Sequence, residues 1–111
     1  MRLEQTQLPG DILLVKLAGA LDIAGAGEIE VPLGNISEKY SKVIINLTDV
    51  TFLASIGIRI LVKAARAMGK RNGRLVVFNP TEDARKVLRS TGIDTIIPVV
   101  ADEKAAIAEC G

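Results

Sequence analysis

The N-terminal part of the chain has the hydropathy pattern of a strand pair. Residues 3–8 are weakly strand-like, Pro9-Gly10-Asp11 is a turn signal, and residues 12–17 form an apolar run. Two strands that are joined by so short a turn pair antiparallel. The pattern therefore predicts an antiparallel hairpin, followed by a loop over residues 19–22.

Residues 25–39 change to helical spacing. Apolar residues recur in this segment, and in the residue that follows it, at spacings of four, three and four. They are Ile29, Leu33, Ile36 and Tyr40. Pro32 lies inside this segment, and proline is favoured in the first turn of a helix. The pattern predicts a helix whose start it leaves open, and a start near Pro32 is one interpretation.

Downstream, short apolar runs alternate with helical periods. The predicted elements are a strand over 43–47, a loop over 49–54, a helix over 56–71 and a strand over 75–78. They continue with a helix from Asn79 (as cap) and Pro80 to about residue 91, a short strand within 95–100 that Pro98 interrupts, and a last helix that Asp102 caps and that runs through Ile107. This alternation is typical of right-handed crossovers between parallel strands. The predicted fold class is α/β: a mixed sheet with a parallel centre, an N-terminal antiparallel hairpin and about four helices.

The helix over 56–71 has the clearest two-sided pattern. Its apolar positions are expected to be buried, and they include Ile60, Leu61, Ala64 and Met68. Its basic positions recur at the same period, and they are Arg59, Lys63, Arg66 and Lys70. Lys63 and Arg66 are expected to be exposed. Such a stripe is usually a solvated face, and contact with an acidic partner is the alternative.

Composition narrows the function classes. The net charge is +1 and the cations are spread along the chain, whereas nucleic-acid binding favours a pronounced basic excess. No apolar run approaches the length of a membrane span, and residues 1–10 lack the apolar stretch of a signal peptide. We expect a cytoplasmic protein with no nucleic-acid partner and no direct membrane insertion.

The chain has no histidine and a single cysteine, Cys110. The absence of histidine removes the commonest general base, the usual catalytic triad and most types of zinc site. The sequence also lacks a P-loop and clustered metal ligands, which speaks against a small nucleotide-binding or hydrolytic domain. No cofactor and no metal site are expected, and the protein is not expected to be an enzyme.

Ser55 follows a buried strand and a loop, at the predicted start of the long helix. In one interpretation it is an N-cap, whose hydroxyl accepts a hydrogen bond from a first-turn amide. In the other it is a modification site, because the unpaired amides and partial positive charge of a helix N-terminus stabilise a phosphate. Such a site would also project from the carboxyl end of a strand, where open α/β sheets bind ligands.

The residues around Ser55 resemble a family signature. The run Asp49–Leu61, DVTFLASIGIRIL, is similar to the signature of STAS-domain anti-sigma factor antagonists, in which an Asp-Ser-Ser/Thr-Gly-Leu core opens a helix. The run Leu17–Asp22, LAGALD, resembles the second landmark of that family, an apolar strand leading into Gly-x-Leu-Asp. The resemblance extends along nearly the whole chain and implies one STAS domain over residues 1–111.

The resemblance implies a phosphorylation-controlled binding partner. The serine that is phosphorylated in the family corresponds to Ser55. A family antagonist binds an anti-sigma factor that is also a serine kinase, is released when it is phosphorylated, and is reset by a metal-dependent serine phosphatase. The residues expected to contact the partner are Asp22, Ala54, Ser55, Ile56, Gly57 and Arg59.

Two positions depart from the family pattern. Ala54 stands where the family has an aspartate, and Ile56 stands where it has a second serine or threonine. The missing carboxylate favours an alternative function, that of a non-switching STAS scaffold in a signalling assembly or as the soluble partner of a membrane transporter. Asp22 also has a structural interpretation, as a loop or capping residue.

Overall fold

A computed structural model describes residues 1–110 of the chain. These residues form five strands, four α-helices and one 3-10 helix. Their order is β1 (Arg2–Leu8), β2 (Ile12–Leu21), α1 (Ile23–Lys39), β3 (Lys42–Leu53), α2 (Ser55–Gly69), β4 (Arg74–Phe78), α3 (Glu82–Ser90), the 3-10 helix (Ile93–Thr95), β5 (Val99–Val100) and α4 (Glu103–Cys110).

The strands form one mixed sheet in the order β1-β2-β3-β4-β5. Strands β1 and β2 pair antiparallel, and each later neighbour pairs parallel. The predicted hairpin, parallel centre and set of four helices are therefore confirmed. The parallel strands place the carboxyl ends of β2 and β3 at the same edge of the sheet.

Alternate residues of the central strands face two different cores. Val43, Ile45 and Leu47 of β3 face the larger core, in which α1, α2 and α3 bury their apolar sides. Ile44 faces the smaller core, to which α4 contributes Ala106 and Cys110. Because side chains of a strand alternate between faces, the continuous apolar run of β3 satisfies both cores at once.

Two predicted loops are in fact strand. Residues 19–21 belong to β2 and residues 49–53 to β3, and the two segments pair in parallel from Ala18↔Asp49 to Leu21↔Leu53. Register shifts interrupt the pairing, between Lys16 and Ala18 and again between Gly19 and Ala20. The alternation of apolar residues is lost at such irregularities, so the loop prediction was wrong.

Helix α1 begins earlier than Pro32 and continues through it. The helix starts at Ile23, after the Asp22 cap, so the interpretation that it starts near Pro32 was wrong. Ile29 and Leu33, on either side of the proline, are each 1% exposed. Packing of this apolar face against the sheet therefore holds a helix that loses one backbone hydrogen bond at the proline.

Helix α3 begins two residues after Pro80, and its cap is Thr81. Thr81 has the extended backbone of a cap, and its Oγ1 accepts a hydrogen bond from the Ala84 amide at 3.2 Å. Asn79, the predicted cap, has a φ of 52° and donates from Nδ2 to Thr48 Oγ1 at 2.9 Å. A left-handed residue does not occupy a cap position, so that prediction was wrong. The prediction that Asp102 caps the last helix is confirmed, because its Oδ1 accepts from the Ala105 amide at 2.8 Å.

Candidate functional site

Both landmark segments end at the same edge of the sheet. Leu21 and Leu53 are register partners at the carboxyl ends of β2 and β3. The next backbone amide, that of Ala54, donates to the Leu21 carbonyl oxygen at 3.0 Å. This contact brings Asp22, which follows Leu21, close to the start of α2. The residues expected to contact one partner therefore lie at one end of the sheet.

Asp22 caps helix α1. Its Oδ1 accepts a hydrogen bond from the Gly25 amide at 2.8 Å, and its backbone is extended. Gly25 also approaches the end of β2 closely, because a Cβ at this position would lie 2.1 Å from the Ala20 carbonyl oxygen. The structural interpretation of Asp22 is therefore confirmed. The residue is half-buried and directly follows Leu21, whose carbonyl oxygen accepts from the Ala54 amide.

Ser55 is the first residue of α2, and its neighbour Ala54 occupies the cap position. Ala54 has an extended backbone, and no side chain caps the helix there. The Ala54 carbonyl oxygen accepts from the amides of Gly57 and Ile58, at 3.0 and 3.2 Å. The interpretation of Ser55 as the N-cap was therefore wrong. Its side chain is exposed, next to a helix end that lacks a side-chain cap.

Gly57 sets the distance between α2 and β2. A Cβ at this position would lie 2.5 Å from Leu21 Cγ and 3.1 Å from the Leu21 carbonyl oxygen. Leu21 is fully buried, so it has little room to yield. Ile56, half-buried, packs against the larger core, and Arg59 is exposed one turn after Ser55. Gly57 thus shapes the site from beneath, while Ser55 and Arg59 form its surface.

Two large apolar side chains at the ends of β2 and β3 are exposed. Ile23, directly after Asp22, is 81% exposed, and Phe52, directly before Leu53, is 57% exposed. Neither was among the residues predicted for the site. Ile23 directly follows one landmark run and Phe52 lies within the other, which was visible in the sequence. Their exposure was not, because an apolar residue in a strand or helix is usually buried.

The two faces of α2 agree with the helical period. Ile60, Leu61, Ala64 and Met68 are buried, and Lys63 and Arg66 are exposed, which confirms the prediction for this helix. Lys63 Nζ lies 3.8 Å from Glu30 Oε2 of α1. The exposed side of α2 is therefore polar and basic from Arg59 onward.

Residues 1–110 contain neither a membrane-spanning helix nor a cluster of metal ligands. In the described part of the chain, no helix is both long and apolar enough to cross a membrane. Among residues 1–110, no group of three or more Cys, Asp or Glu side chains is arranged to hold a metal ion. The candidate site is the exposed serine at the start of α2, where the two landmark segments meet.

Sequence comparison identifies the family. The family model of the STAS domain matches residues 4–106. The chain belongs to the STAS domain family. This STAS domain is similar to BtrV of Bordetella bronchiseptica, whose name assigns it to the anti-sigma factor antagonists, with 26% identity over 109 residues, 97% of this chain and 93% of BtrV. It is also 26% identical to the anti-sigma-B factor antagonist of Bacillus subtilis over 93 residues, 84% of this chain and 85% of that protein.

The fold of this STAS domain is also that of a solved relative. The unphosphorylated form of the anti-sigma factor antagonist SpoIIAA superposes with a TM-score of 0.80, at 21% identity, over 97% of this chain and 95% of that one. The phosphorylated form of SpoIIAA, a Bacillus cell fate determinant, superposes with a TM-score of 0.74, at 21% identity, over 97% and 98% of the two chains. The α/β sheet with its N-terminal hairpin is therefore the STAS fold.

Proposed function

We propose that this STAS domain is an anti-sigma factor antagonist, a single-domain cytoplasmic binding protein and not an enzyme. The observation that carries the proposal is the exposed Ser55 at the start of α2, beside the Asp22 turn. Relatives along nearly the whole chain are named as anti-sigma factor antagonists, which supports the same function here. The proposed partner is an anti-sigma factor that is also a serine kinase.

The proposed binding surface combines polar and apolar side chains around Ser55. Its members are Asp22, Ala54, Ser55, Ile56, Gly57 and Arg59, with Ile23 and Phe52 as additions from the structure. Exposed apolar side chains within a polar surface are typical anchors of protein–protein interfaces. Ile23 and Phe52 would supply most of the apolar area that is buried in the complex.

Phosphorylation of Ser55 is the proposed switch. A phosphate there would lie near the first-turn amides of α2, where negative charge is stabilised by about 0.3–1 kcal/mol, so the fold tolerates it. In the complex, the same charge would lose most of its water at the interface, and this desolvation costs several kcal/mol and weakens binding. A metal-dependent serine phosphatase would restore the binding form. The existence of a phosphorylated form of SpoIIAA supports this proposal.

A candidate anti-sigma kinase provides the test. The full chain is incubated with the kinase and ATP, and intact mass is measured for the wild type and for Ser55→Ala. The wild type should gain the mass of one phosphate and Ser55→Ala should gain none. Ser55→Asp should fold normally yet bind the unreacted kinase about tenfold or more weakly than Ser55→Ala does.

The same experiment distinguishes the phosphorylation switch from the alternative function, a non-switching scaffold. A non-switching scaffold is favoured by Ala54 and Ile56, the two departures from the family motif. Equal affinity of the wild type, Ser55→Ala and Ser55→Asp for the kinase, with no mass increase, would refute the switch and favour the scaffold.

A further inference from the structure

The charges of this chain are segregated along the sequence. Between Val50 and Thr81 there are six Lys or Arg residues and no Asp or Glu. The remaining eight of the fourteen cations, and all thirteen carboxylates, lie outside this segment. The net charge of +1 therefore conceals a strongly basic stretch, of which helix α2 is the longest element.

The basic residues of α2 share its exposed face. Arg59, Lys63 and Arg66 follow each other at spacings of four and three, and all three are exposed. Lys63 has a carboxylate neighbour, Glu30, but the pair is 3.8 Å apart and both side chains are more than half exposed. Within residues 1–110, Arg59 and Arg66 have no carboxylate oxygen within 4.0 Å. Their charge is therefore not neutralised by the protein itself.

We infer that this basic face of α2 docks onto an acidic surface of the partner protein. The inference rests on the proposed function, because it specifies the chemistry of the surface that the partner presents next to Ser55. Ser55 opens the same helix and lies one turn before Arg59, so the two surfaces are continuous. A fixed positive face accelerates encounter with a negative one and selects against partners of the same sign.

The basic face of α2 also offers a phosphate on Ser55 a specific contact, the Arg59 side chain. A phosphoserine at position 55 would carry a charge of about −1.5 to −2, one helical turn from Arg59 and on the same side. It would engage the Arg59 guanidinium and reverse the sign of the docking face at its N-terminal end. Because Ala54 supplies no carboxylate there, the unmodified helix carries no negative charge ahead of Arg59.

Poly-L-glutamate is a suitable probe for this surface, because it presents carboxylates without any other feature of the partner. The full-length chain, labelled with nitrogen-15, is titrated at low ionic strength and followed by NMR. The test variant is Arg59→Gln with Lys63→Gln and Arg66→Gln. The matched control is Arg85→Gln with Lys86→Gln and Arg89→Gln, since these are three exposed cations on α3.

Amides of residues 55–66 should shift most in the wild type. The α2 variant should bind about tenfold or more weakly, and the α3 control within about twofold of the wild type. Equal losses in both variants, or shifts centred on α3, would overturn the inference. Phosphatidylserine vesicles that bind through α2 when poly-L-glutamate does not would also overturn it, in favour of a membrane surface. This assay uses no kinase, so the docking inference and the proposed switch can fail separately. If Ser55 is phosphorylated but poly-L-glutamate shows no preference for α2, the docking inference is refuted and the proposed switch stands.

Discussion

At the scale of single residues, Gly57 lies against a core that leaves no room for a side chain. A Cβ there would overlap Leu21 Cγ at 2.5 Å, and Leu21, the last residue of β2, is fully buried. We predict that Gly57→Ala lowers the free energy of unfolding by about 1–3 kcal/mol, because overpacking a dense core forces neighbours to move. Urea denaturation measures this change.

The matched control for Gly57 is Gly27, a helical glycine of α1. A Cβ at Gly27 would meet no atom within 4 Å. Gly27→Ala should therefore stabilise the fold by about 0.4–1 kcal/mol, since alanine loses less backbone entropy on folding. Equal effects of the two substitutions would show that α2 does not rest on Leu21 as described.

The sequence located Ser55 but not the residue that caps α2. Ser55 was found from a motif, and the structure confirms that it is exposed at the start of α2. The cap, however, is Ala54, because the strand before it runs on to Leu53. The sequence could not locate this boundary within one residue, since the end of β3 depends on its pairing with β2.

At the scale of secondary structure, α2 and α3 differ in how they begin. The α3 cap, Thr81, bonds the Ala84 amide, whereas the α2 cap position holds Ala54, which has no capping side chain. We predict that Ala54→Asn stabilises the protein by about 1 kcal/mol, because an asparagine oxygen can accept from a first-turn amide of α2. Thermal unfolding of the full chain measures the effect.

The converse substitution on α3 is the control. Thr81→Ala should destabilise by a similar amount, since it removes a cap that exists. Asparagine is chosen at position 54 because it adds no charge beside Ser55. If Ala54→Asn leaves the melting temperature unchanged while Thr81→Ala lowers it, then α2 already has its first-turn amides satisfied in another way.

The start of helix α1 could not be predicted from the sequence pattern. The helix was correctly predicted from its apolar period, Ile29 to Ile36, and these residues are buried. Its start was not, because Pro32 in a helix interior normally costs about 3 kcal/mol and argued for a boundary. Burial of residues on both sides of Pro32 outweighs that cost, and burial is a property of the sheet that α1 covers rather than of α1 itself.

At the scale of the whole molecule, α4 covers the second face of the sheet. Cys110, in the last turn of α4, is buried in the smaller core near the Val43 carbonyl oxygen, with Sγ 3.9 Å away. Burial raises the pKa of the Cys110 thiol above its ordinary value of 9.0, and the Arg74 and Lys42 charges oppose this rise. The thiol of the folded chain therefore holds its proton at a pH where that of the unfolded chain has lost it.

This shift predicts a loss of stability at high pH. The contribution of Cys110 is complete below its unfolded pKa and is lost as the pH rises through the folded one. Between about pH 8 and about pH 10, the free energy of unfolding of the wild type should therefore fall relative to that of Cys110→Ala. The variant is the reference because it lacks the thiol and keeps every other titrating group. Denaturation curves of both proteins across this range give the difference. A constant difference would mean that α4 does not bury the thiol.

The sequence by itself determined the order of the elements and the two faces of α2. Strand alternation, the 3.6-residue period of α2 and the Asp102 cap are local properties, because each depends on residues within a few positions of one another. The landmark motifs likewise located Ser55 and Asp22. What lies within one helical turn or one strand could therefore be read directly from the residues.

Only the tertiary structure decided how far β2 and β3 extend and which apolar residues reach the surface. The segments 18–21 and 49–53 are strands because they bond to each other across about thirty residues of chain, and neither has enough apolar alternation to form a strand alone. Asn79 is left-handed in a structure where Thr48, far away in sequence, accepts its side-chain hydrogen bond. Ile23 and Phe52 are exposed because the edge where β2 and β3 end leaves them uncovered. These features arise from contacts between distant segments, and no local pattern of residues encodes such contacts.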